Sequence, residues 1–117
     1  MQPAQAAEAS DLGLHLIDYS KREELTAANA PATAEGTVQV ILERMDRSLQ
    51  GSRCLVLGFG RIGKLLSRRL AAMGAQVTAA ARRPESRAWA EACGYEAVDI
   101  GKLEGKLAEF DVVVNTA

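Results

Sequence analysis

The chain has 117 residues, enough for one modest hydrophobic core but not for two domains of ordinary size. Its 14 basic and 15 acidic side chains leave a formal charge of -1, which excludes a broad basic surface for nucleic acid or an anionic membrane and makes any anion site a local feature. No segment approaches the roughly 20 apolar residues of a membrane span, and "MQPAQAAEASD" has neither the basic start nor the apolar run of a signal peptide, so a soluble, cytoplasmic protein is expected.

Residues 1–11 show no hydrophobic period and read as a frayed lead-in. "LGLHLIDY", Leu12 to Tyr19, alternates as a short strand does, and Ser20 with Glu23 has the spacing of a capping box opening a helical turn. His15 is the only histidine; with no ligand or carboxylate partner in view it reads as a half-buried structural residue. Pro31 marks a break that pushes Ala30 toward extended backbone. A helix is predicted from about Thr33 to Asp46, with Val38, Ile41, Leu42 and Met45 on one apolar stripe.

"RCLVL", residues 53–57, is a short continuous apolar run of the kind found in strands covered on both faces. After "GFGRIG", helical period returns from Arg61 to Met73 and stops at Gly74. "QVTAAA" at 76–81 is a second strand, a helix opens at Pro84 and stops at Gly94, and "EAVDI" is a third strand. Lys102 to Glu109 reads as a weak helix and "DVVVNTA" as a fourth strand. Alternating strands and helices with short links predict a parallel sheet. Cys54 and Cys93 lack metal-ligand or redox spacing and lie in apolar surroundings, so both are expected reduced.

Gly58, Gly60 and Gly63 match G-x-G-x-x-G between a strand and a helix, and the next strand completes a βαβ unit. In that setting Gly58 permits the tight turn, Gly60 lets the backbone approach a pyrophosphate, and Gly63 lets the helix pack on the strand. The exposed N–H groups at the helix start, over Phe59, Arg61 and Ile62, would face the phosphates, with the Arg61 side chain a second phosphate candidate. About 20 residues on, where an acid would bond the ribose 2′-hydroxyl of NAD, the chain has Ala81, Arg82 and Arg83. Guanidiniums suit a 2′-phosphate, so NADP is favoured, with NAD the alternative. Asn115 and Thr116 end a strand at the same crevice, where they either bond the nicotinamide-side ribose or serve as turn residues.

These features predict an α/β fold: a Rossmann-like, doubly wound parallel sheet, truncated at about four strands, with an N-terminal connecting helix. Residues 1–30 are expected to be lead-in and the remnant of a preceding domain, and 31–117 a dinucleotide-binding domain cut at its C-terminus. Exposed sheet edges then favour a homodimer, with the 33–46 helix a candidate for exchange. No Ser-His-Asp set, metal cluster or His–carboxylate pair is apparent, so catalytic residues are not identified and no metal is expected.

"DYSKREELTAANAPATAEGTVQVILERMDRSLQGSRCLVLGFGRIGK", together with "GAQVTAAAR", "GY" and "DVVVNT", resembles the A component of dipicolinate synthase over about residues 12–116. The "TAEG" segment combined with "LVLGFGRIGK" is the more specific part. The resemblance implies an NAD(P)-dependent oxidoreductase that forms dipicolinic acid during sporulation, partnered by the flavoprotein-like B component of that synthase, with catalytic groups supplied from other parts of the protein. It departs from the family at "NTA", where the family continues "NTIPA". Alternatives are the cofactor domain of another two-domain dehydrogenase, of the 2-hydroxyacid or adenosylhomocysteine-hydrolase type, and a non-catalytic nucleotide-sensing or assembly module.

Overall fold

The computed structural model describes the backbone of 15–18 and residues 30–116 throughout. Along the chain run β1 (His15–Asp18), α1 (Ala30–Arg44), β2 (Arg53–Leu57), α2 (Arg61–Ala72), β3 (Gln76–Ala81), α3 (Pro84–Ala92), β4 (Glu96–Asp99) and β5 (Val112–Asn115), with two single 3-10 turns, Ile100–Lys102 and Leu107–Glu109, before β5. The expectations for the lead-in, the Ser20 cap and the His15 side chain fall outside the described residues.

All strand pairs are parallel, and the sheet order is β1-β5-β2-β3-β4. The chain builds outward from β2 through β3 to β4, then crosses back to place β5 on the other side of β2. The order therefore reverses between β2 and β5, and the crevice beyond the carboxyl ends of these strands is where an open α/β sheet takes its ligand. The four strands expected after the first helix are present, and the short strand expected within Leu12 to Tyr19 is β1, which joins the same sheet as a fifth strand by pairing His15 to Asp18 with Val112 to Asn115.

The apolar run of β2 is buried on both faces, as its composition requires. Cys54 and Val56 face one cluster with Ile41, Leu66 and Leu70, so α1 and α2 cover that side. Leu55 and Leu57 face the other with Leu103, Leu107 and Phe110 from the 3-10 segment. Leu66 and Leu70, one turn apart on α2, are completely buried; truncating either to Ala would cost about 2–5 kcal/mol. A third cluster joins Phe59 to Ala79, Ala81 and Ala90, and small side chains at those positions let α3 lie close on β3.

Three local expectations are corrected. The first helix begins at Ala30, not Thr33, because Pro31 sits in its first turn, where a missing N–H costs nothing. The weak helix over 102–109 is instead the pair of 3-10 turns, since Gly105 adopts φ +80° between them and Leu103 and Leu107 are pinned into the core. Cys93 is exposed rather than set in apolar surroundings; Cys54 is buried, and neither forms a disulfide.

Candidate functional site

The glycine loop follows β2 directly. Gly58 takes φ +96°, a conformation that a side chain would strain, and its N–H donates to the Ala80 carbonyl at 2.7 Å, so the turn is anchored on the neighbouring strand. Gly60 is the N-cap of α2, in extended conformation and without a side-chain cap. Its carbonyl accepts the first helical bond, from Lys64 N–H at 2.9 Å. The N–H groups of Arg61, Ile62 and Gly63 have no intrahelical acceptor and carry the positive end of the helix dipole.

Gly63 explains the third position of the motif. A Cβ there would collide with the Gly58 carbonyl oxygen and come within 3.1 Å of Thr116 Oγ1. Thr116, just beyond β5, is buried and bound on the underside of the loop: its N–H and its hydroxyl both donate to the Leu57 carbonyl, at 2.8 and 2.9 Å. Asn115, also buried, lies opposite Leu57 in the β2–β5 register.

The cleft above these groups measures about 710 Å³, within the ordinary range of ligand pockets. It follows the order of the sheet, from Thr116 through Gly58 to Gly60, then Ala81 to Arg83, then Ile100 after β4. Lys64 and Ser86 complete its lining. Three of the lining residues are basic and none is a carboxylate, so the lining is positive although the whole chain carries a formal charge of -1. A second hollow of about 390 Å³, lined by Arg53, Gln76, Cys93 and Tyr95 among others, lies at the opposite, amino ends of the strands.

Of the residues expected at the site, Gly58, Gly60, Arg82, Arg83 and Thr116 line the cleft together with Phe59. Phe59 and Ile62 are both buried, and Ile62 does not line the cleft. The Phe59 ring stacks edge-on against Tyr95, with centroids 6.3 Å apart. Burial, then the neighbouring Cys93 thiol, push the Tyr95 hydroxyl above its ordinary pKa, partly offset by Arg68. The Arg61 side chain is exposed and does not line the cleft; its N–H at the helix start is what it brings to the loop.

Lys64, Ser86 and Ile100 are cleft residues that sequence reasoning did not single out. Lys64 had a readable signal: it follows the last glycine of the motif, at the exposed start of the helix. Its ammonium lies 5.1 Å from the ring centre of Trp89 and 5.8 Å from that of Phe59, a cation–π position on both. Ile100 had none, because its place depends on β4 lying beside β3. Among the described residues there is no group of three or more His, Cys, Asp or Glu side chains able to hold a metal, and no helix long and apolar enough to cross a membrane.

The features a dinucleotide needs are therefore present: a glycine cradle that a Cβ would fill, an uncapped helix start, and a positive cleft at the switch point of a parallel sheet. The family described as D-isomer specific 2-hydroxyacid dehydrogenase, NAD binding domain matches residues 26–117. The A component of dipicolinate synthase from Bacillus subtilis is 30% identical over 101 residues, which are 86% of this chain and 34% of that protein. The crystal structure of the same component from Bacillus halodurans superposes with a TM-score of 0.75 at 34% identity, over 83% of this chain and 33% of that one. Glutamyl-tRNA reductase of Rubrobacter xylanophilus is 41% identical over 71 residues, 59% of this chain and 17% of that protein. The chain thus spans about a third or less of these relatives. The resemblance to dipicolinate synthase read from "TAEG" and "LVLGFGRIGK" holds in both sequence and fold. With its parallel sheet, glycine loop and matched residues, the chain belongs to the family of D-isomer specific 2-hydroxyacid dehydrogenase NAD-binding domains.

Proposed function

We propose that this chain is the cofactor-binding part of an oxidoreductase resembling the A component of dipicolinate synthase, and that it takes NADP in preference to NAD. The observation that carries the cofactor preference is the pair Arg82 and Arg83 lining the cleft after β3, where an NAD site keeps a carboxylate, with no acidic side chain along the lining. Two guanidiniums beside an adenosine ribose favour a 2′-phosphate through charge-assisted bonds that a 2′-hydroxyl makes only weakly.

In this reading the N–H groups at the start of α2 hold the pyrophosphate, Gly63 lets the helix approach closely enough to do so, and Thr116 keeps the loop in place from below. Ile100 offers an apolar surface at the adenosine end. Bound nicotinamide supplies hydride transfer, and the residues that orient and deprotonate a substrate come from other parts of the protein. The sporulation role and formation of dipicolinic acid rest on the likeness to dipicolinate synthase, as does a partner of the flavoprotein-like B type. A homodimer is part of the same proposal and is checked by mass from light scattering, where a monomer at tens of micromolar would exclude it.

The function test is a titration of the purified chain with NADP and with NAD, followed by Trp89 fluorescence. Trp89 is exposed and reaches the cleft through Lys64, so an occupied site should change its emission. Tighter binding of NADP is expected. Binding of neither nucleotide removes the reading, and equal or tighter binding of NAD removes the cofactor preference.

A further inference from the structure

The two basic residues at the adenosine end are exposed, and exposed arginines sample many rotamers unless their backbone is held in one place. What holds it is a third arginine, one helical turn further on. Arg87, half-buried on α3, donates from one guanidinium nitrogen to the Ala81 carbonyl at 3.0 Å and to the Arg82 carbonyl at 2.8 Å. These are the last residue of β3 and the first of the turn that carries Arg82 and Arg83. The same nitrogen faces Asp99 Oδ2 at 4.0 Å, and Asp99 is paired with Ala81 in the register of β3 and β4.

Asp99 does a second job. Its Oδ1 accepts the Gly101 N–H at 3.0 Å and so caps the 3-10 turn that begins with Ile100. Ile100 lines the cleft on the β4 side, and Arg82 and Arg83 line it on the β3 side. Arg87 and Asp99 together therefore connect both walls of the adenosine end from behind, although neither lines the cleft itself. Backbone carbonyls bound by a charged donor form some of the stronger neutral–ion hydrogen bonds, and here two of them converge on one group.

We infer that Arg87 is a positioning residue for cofactor selectivity: by clamping the Ala81 and Arg82 carbonyls and leaning on Asp99, it holds the turn that points Arg82 and Arg83 at a 2′-phosphate. This rests on the proposed preference for NADP. The effect falls on the phosphate-bearing cofactor because the pyrophosphate half of the site, at Gly58 to Gly63, is anchored separately through Ala80 and Thr116.

The test is the affinity of the full chain for NADP and NAD in Arg87→Met, which keeps the stem and removes the donor, and in Arg87→Lys, which restores a donor and a charge. The NADP-to-NAD affinity ratio should fall about tenfold in Arg87→Met, with NAD binding itself little changed, and recover in part in Arg87→Lys. If Arg87→Met does not fold, Asp99→Asn loosens the clamp with every basic side chain in place, and the ratio should fall in the same direction. An unchanged ratio in Arg87→Met, or a ratio that rises in Asp99→Asn as loss of a nearby negative charge alone would make it, overturns the inference. A wild-type chain that fails to prefer NADP overturns the reading on which it rests, so the two failures are distinguishable.

Discussion

Thr116 Oγ1 donates to the Leu57 carbonyl at 2.9 Å and lies 3.4 Å from the carbonyl of Gly58, so the end of β5 supports the glycine loop from inside the sheet. A hydroxyl buried this completely must find an acceptor or cost free energy, and here the acceptor is the strand end from which the loop departs. Thr116→Val keeps the shape and removes the donor. The Leu57 carbonyl still receives the Thr116 N–H, so the expected loss of stability is about 1 kcal/mol, with Tm lower by roughly 4–8 °C. Thermal unfolding measures this; an unchanged Tm would mean that the hydroxyl does not brace the loop.

Gly63→Ala places a methyl group against the Gly58 carbonyl oxygen. Either α2 moves away from β2 or the loop shifts, and overpacking of this kind costs about 1–3 kcal/mol. Because the shifted part is the cradle itself, binding of both nucleotides should fall together and by more than tenfold. Denaturant unfolding and fluorescence titration on one sample separate the effects. Full affinity in a chain that folds normally would show that the close approach is not needed for binding.

Much of this site can be read along the chain because the glycine motif and its flanking strand and helix are contiguous. The edges of β2 and β3 follow from apolar runs punctuated by glycine and arginine, and Arg82 and Arg83 follow from their distance to the motif. What could not be read depends on pairings between distant segments. Thr116 as a brace needs β5 beside β2, Ile100 as a wall needs β4 beside β3, and Arg87 as a clamp needs Asp99 opposite Ala81. The helix expected over 102–109 failed for a related reason: anchoring of Leu103 and Leu107 under the sheet outweighs the weak local preference of a segment holding Gly105.

Reversing charge at the adenosine end tests the cofactor preference directly. Arg82→Asp places a carboxylate where NAD sites keep one, so NADP affinity should fall by roughly ten- to a hundredfold while NAD affinity holds or rises. Titration with both nucleotides gives the result. An equal loss for the two would indicate damage to the fold and not loss of a phosphate contact.

Cys54 gives the fold a measurable alkaline limit. Its thiol is fully buried in β2, and burial, followed by the nearby Asp111 carboxylate, raises its pKa from 9.0 to about 11. Asp111 is held there by accepting the Arg53 N–H at 2.8 Å, so the negative charge next to the thiol is fixed by the fold. Below about pH 9 the thiol is protonated in both states and contributes nothing to the pH dependence. Between about 9 and 11 the unfolded chain releases the proton while the folded chain retains it, so stability falls as pH rises, by up to about 3 kcal/mol in all. Tyrosines and lysines titrate in the same interval, so the comparison is with Cys54→Ala, whose smaller side chain lowers stability at every pH but removes this slope. Urea unfolding between about pH 8 and about pH 11 should show wild type and variant converging as pH rises. Parallel lines would mean that the thiol ionises as readily in the folded chain as in the unfolded one.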